Sequence, residues 1–130
     1  MAIIDLQGIG KPVFYKGGEL IYEEDDNLGD PSIYYLIEGK VEIVKNYNSV
    51  EKELFLYTAG EIFGMLEVYT PSRRVTHARA LSDVKAVGLN KDEFEQAMLS
   101  SMNFTLTSIR LLSKMLRQIN ERIKKIPDFR

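Results

Sequence analysis

Between Gly60 and Ala80 the chain reads Gly-Glu-Ile-Phe-Gly-Met-Leu-Glu-Val-Tyr-Thr-Pro-Ser-Arg-Arg-Val-Thr-His-Ala-Arg-Ala. Gly60 and Gly64 lead into an apolar run, then a Thr-Pro-Ser turn, then adjacent Arg73 and Arg74 at the lip of a new strand. The chemistry such a segment can do is anion binding. Glycines let backbone N–H groups approach a phosphate closely, and a guanidinium grips one through two parallel hydrogen bonds. Neighbouring residues of a strand point to opposite faces, so one of the two arginines faces the pocket, and a one-residue change of register exchanges their roles. Catalysis has no comparable signature. His77 is the only histidine and cysteine is absent, so neither a multi-histidine metal site nor a Cys-ligated zinc can be assembled, and with one histidine and no nucleophile-elbow pattern a Ser-His-Asp set is not expected. The chain reads as a non-enzyme, with His77 a half-buried strand residue and single-histidine haem ligation a remote alternative.

The same stretch resembles the phosphate-binding cassette of cyclic-nucleotide-binding domains, which reads roughly Phe-Gly-Glu-Leu-Ala-Leu, a variable turn, then Arg-Ala-Ala-Thr and a strand. Phe63 and Gly64 match, Leu66 and Val68 match in character, and Arg74 takes the place of the phosphate-binding arginine, with Ala78, Arg79 and Ala80 continuing as the following strand. Two positions depart. Met65 stands where the family has the glutamate that binds the ribose 2′-hydroxyl, and Glu67 where a small residue follows. A thioether is a weak acceptor, and losing a charge-assisted hydrogen bond costs about 1.5–3 kcal/mol. Met65 reads as a pocket-wall or core residue. Glu67 can supply a carboxylate only if the turn after Gly64 is shifted, and Glu61 reads as a cap or a solvent-facing group. Val75 stands where the family has Ser or Ala, leaving its backbone N–H as the available donor. The resemblance therefore implies a ligand site made of Phe63, Gly64, Met65, Leu66, Glu67, Arg73, Arg74 and Val75, with the phosphate half kept and the sugar half altered.

The elements that must position this segment are legible as periods. Short β-rich runs at 13–15, 20–22, 33–37 and 40–45 alternate with Gly, Asp, Asn and Pro clusters. Asn46 to Ser49 read as a hairpin tip before a strand centred on 54–57, and 75–80 and 84–90 read as further strands. Residues 1–12 are open between a helical turn and an edge strand. Lys-Gly-Gly-Glu at 16–19, where the family commonly has Lys-Gly-Glu, and the Tyr-x-Leu-x-x-Gly-x-Val pattern from Tyr34 extend the resemblance from about Val13 to Ile126. At Asn90 the period changes to about 3.6, with Asn90 as N-cap and Asp92 and Glu93 in the first turn. A break at 100–103 precedes a last helix in which Ile109, Leu112, Leu116, Ile119, Ile123 and Ile126 form a heptad seam, while Phe104, Leu111 and Met115 form a second stripe in its first half. The expected fold is mainly β with C-terminal helices: a double-stranded β-helix, or jelly roll, over 1–103 with short flanking helices, and a dimerisation helix over 104–130 within the same domain.

With 130 residues and a net charge of −2, the chain fits one domain with a real core. Charge is unevenly spread. Residues 104–130 carry seven Lys or Arg against Glu121 and Asp128, a balance of +5 that leaves the remainder at −7. These basic residues read as the solvated flanks of a helical pair, with contact to nucleic acid as the alternative. No apolar run approaches the length of a membrane span and no signal peptide is recognisable, so a cytoplasmic location and no membrane partner are expected.

The resemblance implies a CRP/FNR-type module that senses a cyclic nucleotide monophosphate, cAMP-like, as effector, needs no cofactor, and takes part in signal transduction or transcription regulation. A parallel homodimer through 104–126 would cover the seam; otherwise the seam folds back on its own domain. Gln118, Asn120 and Arg122 lie near the depth at which family members bring this helix to the base. Regulators of this type continue into a helix-turn-helix, whereas this sequence ends at Arg130, so sequence-specific DNA binding by the chain alone is not expected and the output protein is unidentified. The runner-up is a degenerate fold without a nucleotide ligand, acting as a dimerising interaction scaffold.

Overall fold

The computed structural model describes residues 3–26, 32–70 and 72–126. Among them the chain forms β1 (Lys11–Tyr15), β2 (Leu20–Tyr22), β3 (Ile33–Glu38), β4 (Val41–Tyr47), β5 (Val50–Tyr57), β6 (Ile62–Phe63), α1 (Leu66–Tyr69), β7 (His77–Ala80), β8 (Val84–Leu89), α2 (Lys91–Ser100) and α3 (Met102–Lys124). Two antiparallel sheets face each other, one ordered β1-β8-β3-β6 and the other β2-β7-β4-β5. Apart from the β4-β5 hairpin, neighbouring strands in both sheets are non-consecutive, the mark of a jelly roll, as the sequence led us to expect.

Burial follows the pleat of β3, whose run Ile33-Tyr34-Tyr35-Leu36-Ile37 is apolar on both faces. Tyr34 and Leu36 point between the sheets, into a core with Tyr22, Val41, Ile43, Tyr57, Phe63, Ala78 and Ala86. Ile33, Tyr35 and Ile37 point outward, into a second core with Ile62, Leu89, Phe94, Phe104 and Leu111. A strand covered on both sides reads as a continuous apolar run because neither face meets water. The second core glues the helices to the barrel: Phe104 sits edge-on to Tyr35 at 5.4 Å and to Phe94 at 5.5 Å. Leu6 joins it, and the Ile4 backbone N–H donates to the Tyr35 hydroxyl at 2.8 Å. Residues 3–10 are thus neither helix nor strand, and β1 begins at Lys11.

Several boundaries move. The hairpin tip is Asn48 and Ser49 alone, both at positive φ of 51° and 68°, because a two-residue turn of that hand matches the twist of the flanking strands. Both strands consequently run further toward the tip than their apolar centres indicate. The strand expected from residue 75 begins at His77. The expected break at 100–103 shrinks to Ser101, which ends α2 and caps α3 by accepting from the Phe104 N–H at 3.1 Å. Asn90 caps α2 as expected, in a reciprocal box with Glu93.

Burial also raises the affinity of the interior phenols for their protons. Desolvation pushes the Tyr22 and Tyr57 hydroxyls well above the ordinary tyrosine range, against the pull of the Arg74 charge on Tyr22. Their neutral forms stabilise the fold fully below about pH 10, the unfolded value, and that contribution is lost as pH rises beyond it. In a spectrophotometric titration, the Tyr22 and Tyr57 phenols should ionise only together with loss of the far-ultraviolet β signal.

Candidate functional site

The cassette is built on a sharp exit from β6. Gly64 has φ +87°, and a side chain there would press on the Ser32 carbonyl at 3.1 Å and on Arg74 Nη1 at 3.3 Å. Glycine is needed both for the backbone hand and for the space. The chain then makes one helical turn, α1, which the sequence shows only as a short apolar run. That turn throws Glu67 inward and Leu66 outward, so Glu67 is 3% exposed and Leu66 58%.

Arg74 is the residue the cassette encloses. It is 5% exposed, whereas Arg73 lies on the surface, so the inward arginine is Arg74. Its Nη1 donates to the Gly64 carbonyl at 2.9 Å and to Glu67 Oε1 at 2.6 Å, and its Nη2 donates to the Ser32 carbonyl at 2.6 Å. The guanidinium carbon stands 3.9 Å from the centroid of the Tyr22 ring, a stacked cation–π geometry. Its backbone is clamped as well: the Arg74 N–H donates to the Asp26 carbonyl at 3.1 Å and the Asp25 N–H to the Arg74 carbonyl at 2.7 Å.

The other expected site residues separate by environment. Phe63 is a core residue, 2% exposed, stacked on Tyr34 at 5.1 Å and on Tyr57 at 5.7 Å. Met65 packs at the edge of the outer core, the wall-or-core role expected for it. Val75 is at the surface, and its carbonyl accepts from Lys45 Nζ at 2.8 Å. Glu61 is buried rather than solvent-facing. It accepts from the Thr58 N–H at 2.8 Å and pairs with Lys114 Nζ of α3 at 3.4 Å. His77 Nδ1 accepts from the Glu24 N–H at 3.1 Å and its Nε2 lies 3.2 Å from Asn46 Nδ2, which satisfies it within the fold.

Of the helix residues placed near the base, Arg122 reaches the barrel, lying 5.0 Å from the Phe55 ring and donating to the Leu54 carbonyl. Gln118 lines a concavity of about 620 Å³ along α3, with Arg110, Lys114, Arg117 and Glu121. Asn120 is exposed and is absent from that lining. Periodicity did not reveal the brace outside the second sheet, where Arg79 bonds Glu42 through Nε at 2.8 Å and also Glu51. The Arg79 hydrogen bond holds the Glu51 carboxyl below its usual range, and the neighbouring Glu42 raises that of Glu53. Cross-strand acids and bases on β4, β5 and β7 were the available signal, but it needs the register to be known.

A jelly roll with a glycine-turned cassette, an enclosed arginine and a long C-terminal helix defines a class of ligand-responsive domains. The chain belongs to the cyclic nucleotide-binding domain family, whose model matches residues 12–101. It is 25% identical over 116 residues to a CRP-like cAMP-activated global transcriptional regulator of Mycobacterium tuberculosis, covering 87% of this chain and 50% of that one. The fold superimposes on the catabolite activator protein of Thermus thermophilus with a TM-score of 0.75 at 22% identity, over 92% of this chain and 55% of that one. It also superimposes on the haem domain of CooA from Carboxydothermus hydrogenoformans, with a TM-score of 0.75 at 16% identity over 93% and 83%. The chain spans about half the length of the curated relatives it matches.

Arg74 and Glu67 form a pair in which each charge depends on the other. Removing one partner of a buried pair costs about 3–5 kcal/mol, because the remaining charge is left in low dielectric. Arg74→Ala should therefore destabilise the domain by about that amount in urea unfolding, while exposed Arg73→Ala should stay within about 0.5 kcal/mol of wild type. Replacing both partners, as Arg74→Leu with Glu67→Leu, should recover most of the loss.

Proposed function

We propose that this domain is a non-enzymatic, cytoplasmic sensor of a cyclic nucleotide monophosphate, cAMP-like, that works as a homodimer in signalling or transcription regulation. The observation that carries the reading is the enclosed Arg74, ten residues beyond Gly64 on a cassette inside the matched region. A guanidinium held against backbone groups at a glycine turn suits a phosphate diester, which would take donors from Arg74 and from the backbone of 64–68. The base would lie toward α3, where Arg122 approaches the barrel. Ligand binding would bias two arrangements of barrel and helix, by no more than the ligand's differential affinity for them.

Dimerisation is supported by the exposure of the seam. Ile109, Leu112, Leu116 and Ile119 are 54%, 46%, 68% and 41% exposed, whereas Phe104 and Leu111 of the second stripe are buried on the barrel. The seam does not fold back on its own domain. An apolar stripe at heptad spacing, flanked by basic side chains, suits a second copy of the same helix.

A specific observation favours a second reading. Glu67 already neutralises Arg74, and Met65 supplies no ribose acceptor, which is what a degenerate domain retained as an interaction scaffold would show. Calorimetric titration with cyclic AMP and cyclic GMP separates the two. Because Arg74→Ala strands Glu67, the control is Arg74→Gln combined with Glu67→Gln. The sensor reading expects micromolar binding that the double variant abolishes; absence of heat at millimolar nucleotide would sink it in favour of the scaffold. For the dimer, light scattering should give twice the chain mass for wild type and the chain mass for Leu116→Glu, with the thermal transition of the monomer little changed.

A further inference from the structure

We propose that Glu67 is a tethered anion that occupies the phosphate position of the cassette, so that an oxyanion enters only by displacing a carboxylate of the chain itself. The assignment of the segment as a phosphate cassette rests on the function proposed above; the competition does not depend on which nucleotide is bound.

Three observations converge. First, the Glu67 carboxylate lies 2.6 Å from Arg74 Nη1, within the range of a charge-assisted hydrogen bond. Second, the guanidinium is hemmed in. The Gly64 and Ser32 carbonyls take further Nη donors and Tyr22 covers one face, so the edge that Nη1 presents is already occupied by Glu67 and a backbone carbonyl. Third, both partners are nearly excluded from water, at 5% and 3% exposure. A monoanionic ligand added beside an intact pair would place two anions on one cation in low dielectric, which disfavours it strongly.

Displacement is mechanically available. Glu67 sits on α1, a single helical turn of four residues between Gly64 and Thr70. The turn carries no side-chain cap at its start. Rotation of that turn outward would move the carboxylate to solvent while leaving Arg74 anchored by Ser32 and by the backbone clamp to Asp25 and Asp26. Cyclic nucleotide can drive this exchange because its base and sugar add contacts that inorganic phosphate lacks. Glu67 thereby sets the selectivity of the site: it rejects small oxyanions and weakens every phosphate ligand by a constant factor.

The test uses inorganic phosphate and cyclic AMP on the full chain. Thermal unfolding in 20 mM phosphate is compared with chloride of equal ionic strength for wild type, Glu67→Gln, Glu67→Asp and the Glu67→Gln, Arg74→Gln double variant. Phosphate should raise the Tm of Glu67→Gln by about 3 °C or more, that of Glu67→Asp by less, and leave wild type and the double variant unmoved. Glu67→Asp keeps the countercharge one methylene shorter, so it decides the matter if Glu67→Gln does not fold. A wild-type response equal to that of the variants, or no response in either single variant, overturns the inference. In the nucleotide arm, Glu67→Gln should bind cyclic AMP about tenfold or more tightly than wild type; equal affinities also overturn it. Failure of cyclic AMP to bind any variant counts against the cyclic-nucleotide reading, while the phosphate arm still decides the role of Glu67.

Discussion

A guanidinium cannot be carried into the interior of a small barrel unless its charge and its donors are met there. For Arg74 the charge is met by Glu67, the Nη donors by Glu67 and two carbonyls, and one face by Tyr22, and several segments are arranged to supply them. Gly64 removes its own side chain to let the guanidinium approach. The turn α1 delivers the carboxylate, the entry to β3 delivers the Ser32 carbonyl, and the loop after β2 holds the Arg74 backbone. Segments distant in sequence are therefore tied to one side chain.

The aromatic core extends this arrangement. Tyr22, Tyr34, Phe63 and Tyr57 form a chain of ring contacts at 6.2, 5.1 and 5.7 Å between the sheets. It starts under Arg74 and ends at Tyr57, whose hydroxyl donates to the Met115 sulfur of α3 at 3.3 Å. Lys114, one residue away, pairs with Glu61 at the start of the cassette. The helix is thus linked to Arg74 both through packed rings and along the backbone from Glu61 to Gly64. These contacts connect α1 and Arg74 to the helix that carries the exposed seam.

Much of this was legible before the coordinates. Alternating short runs and glycine-marked turns pointed to an all-β barrel or jelly roll and the family resemblance to the latter, the capping residues around Asn90 placed the change to helix, and the two stripes on the last helix separated the residues that dock from those that stay exposed. The strand ends were less legible, because the Asn48-Ser49 turn extends the hairpin through Asn46 and Tyr47, polar positions that hydrophobic period does not mark. α1 was missed for a different reason. Four residues are too short to display a 3.6-residue period, and the turn exists because the chain must leave β6 and return to β7.

From the residues themselves came the two-glycine cassette with its pair of arginines and the seam at heptad spacing; these depend on residue type and local period, which one chain carries in full. Tertiary structure decided which arginine faces inward and what it faces. Arg73 and Arg74 are equivalent in sequence, and the register of the strand that follows sends one to solvent and one to the core. Glu67 reads as a departure from a family pattern until α1 turns it onto Arg74. Charge pairing across seven residues depends on the path of the backbone between them, and that path is set by packing against β3, β6 and the loop after β2.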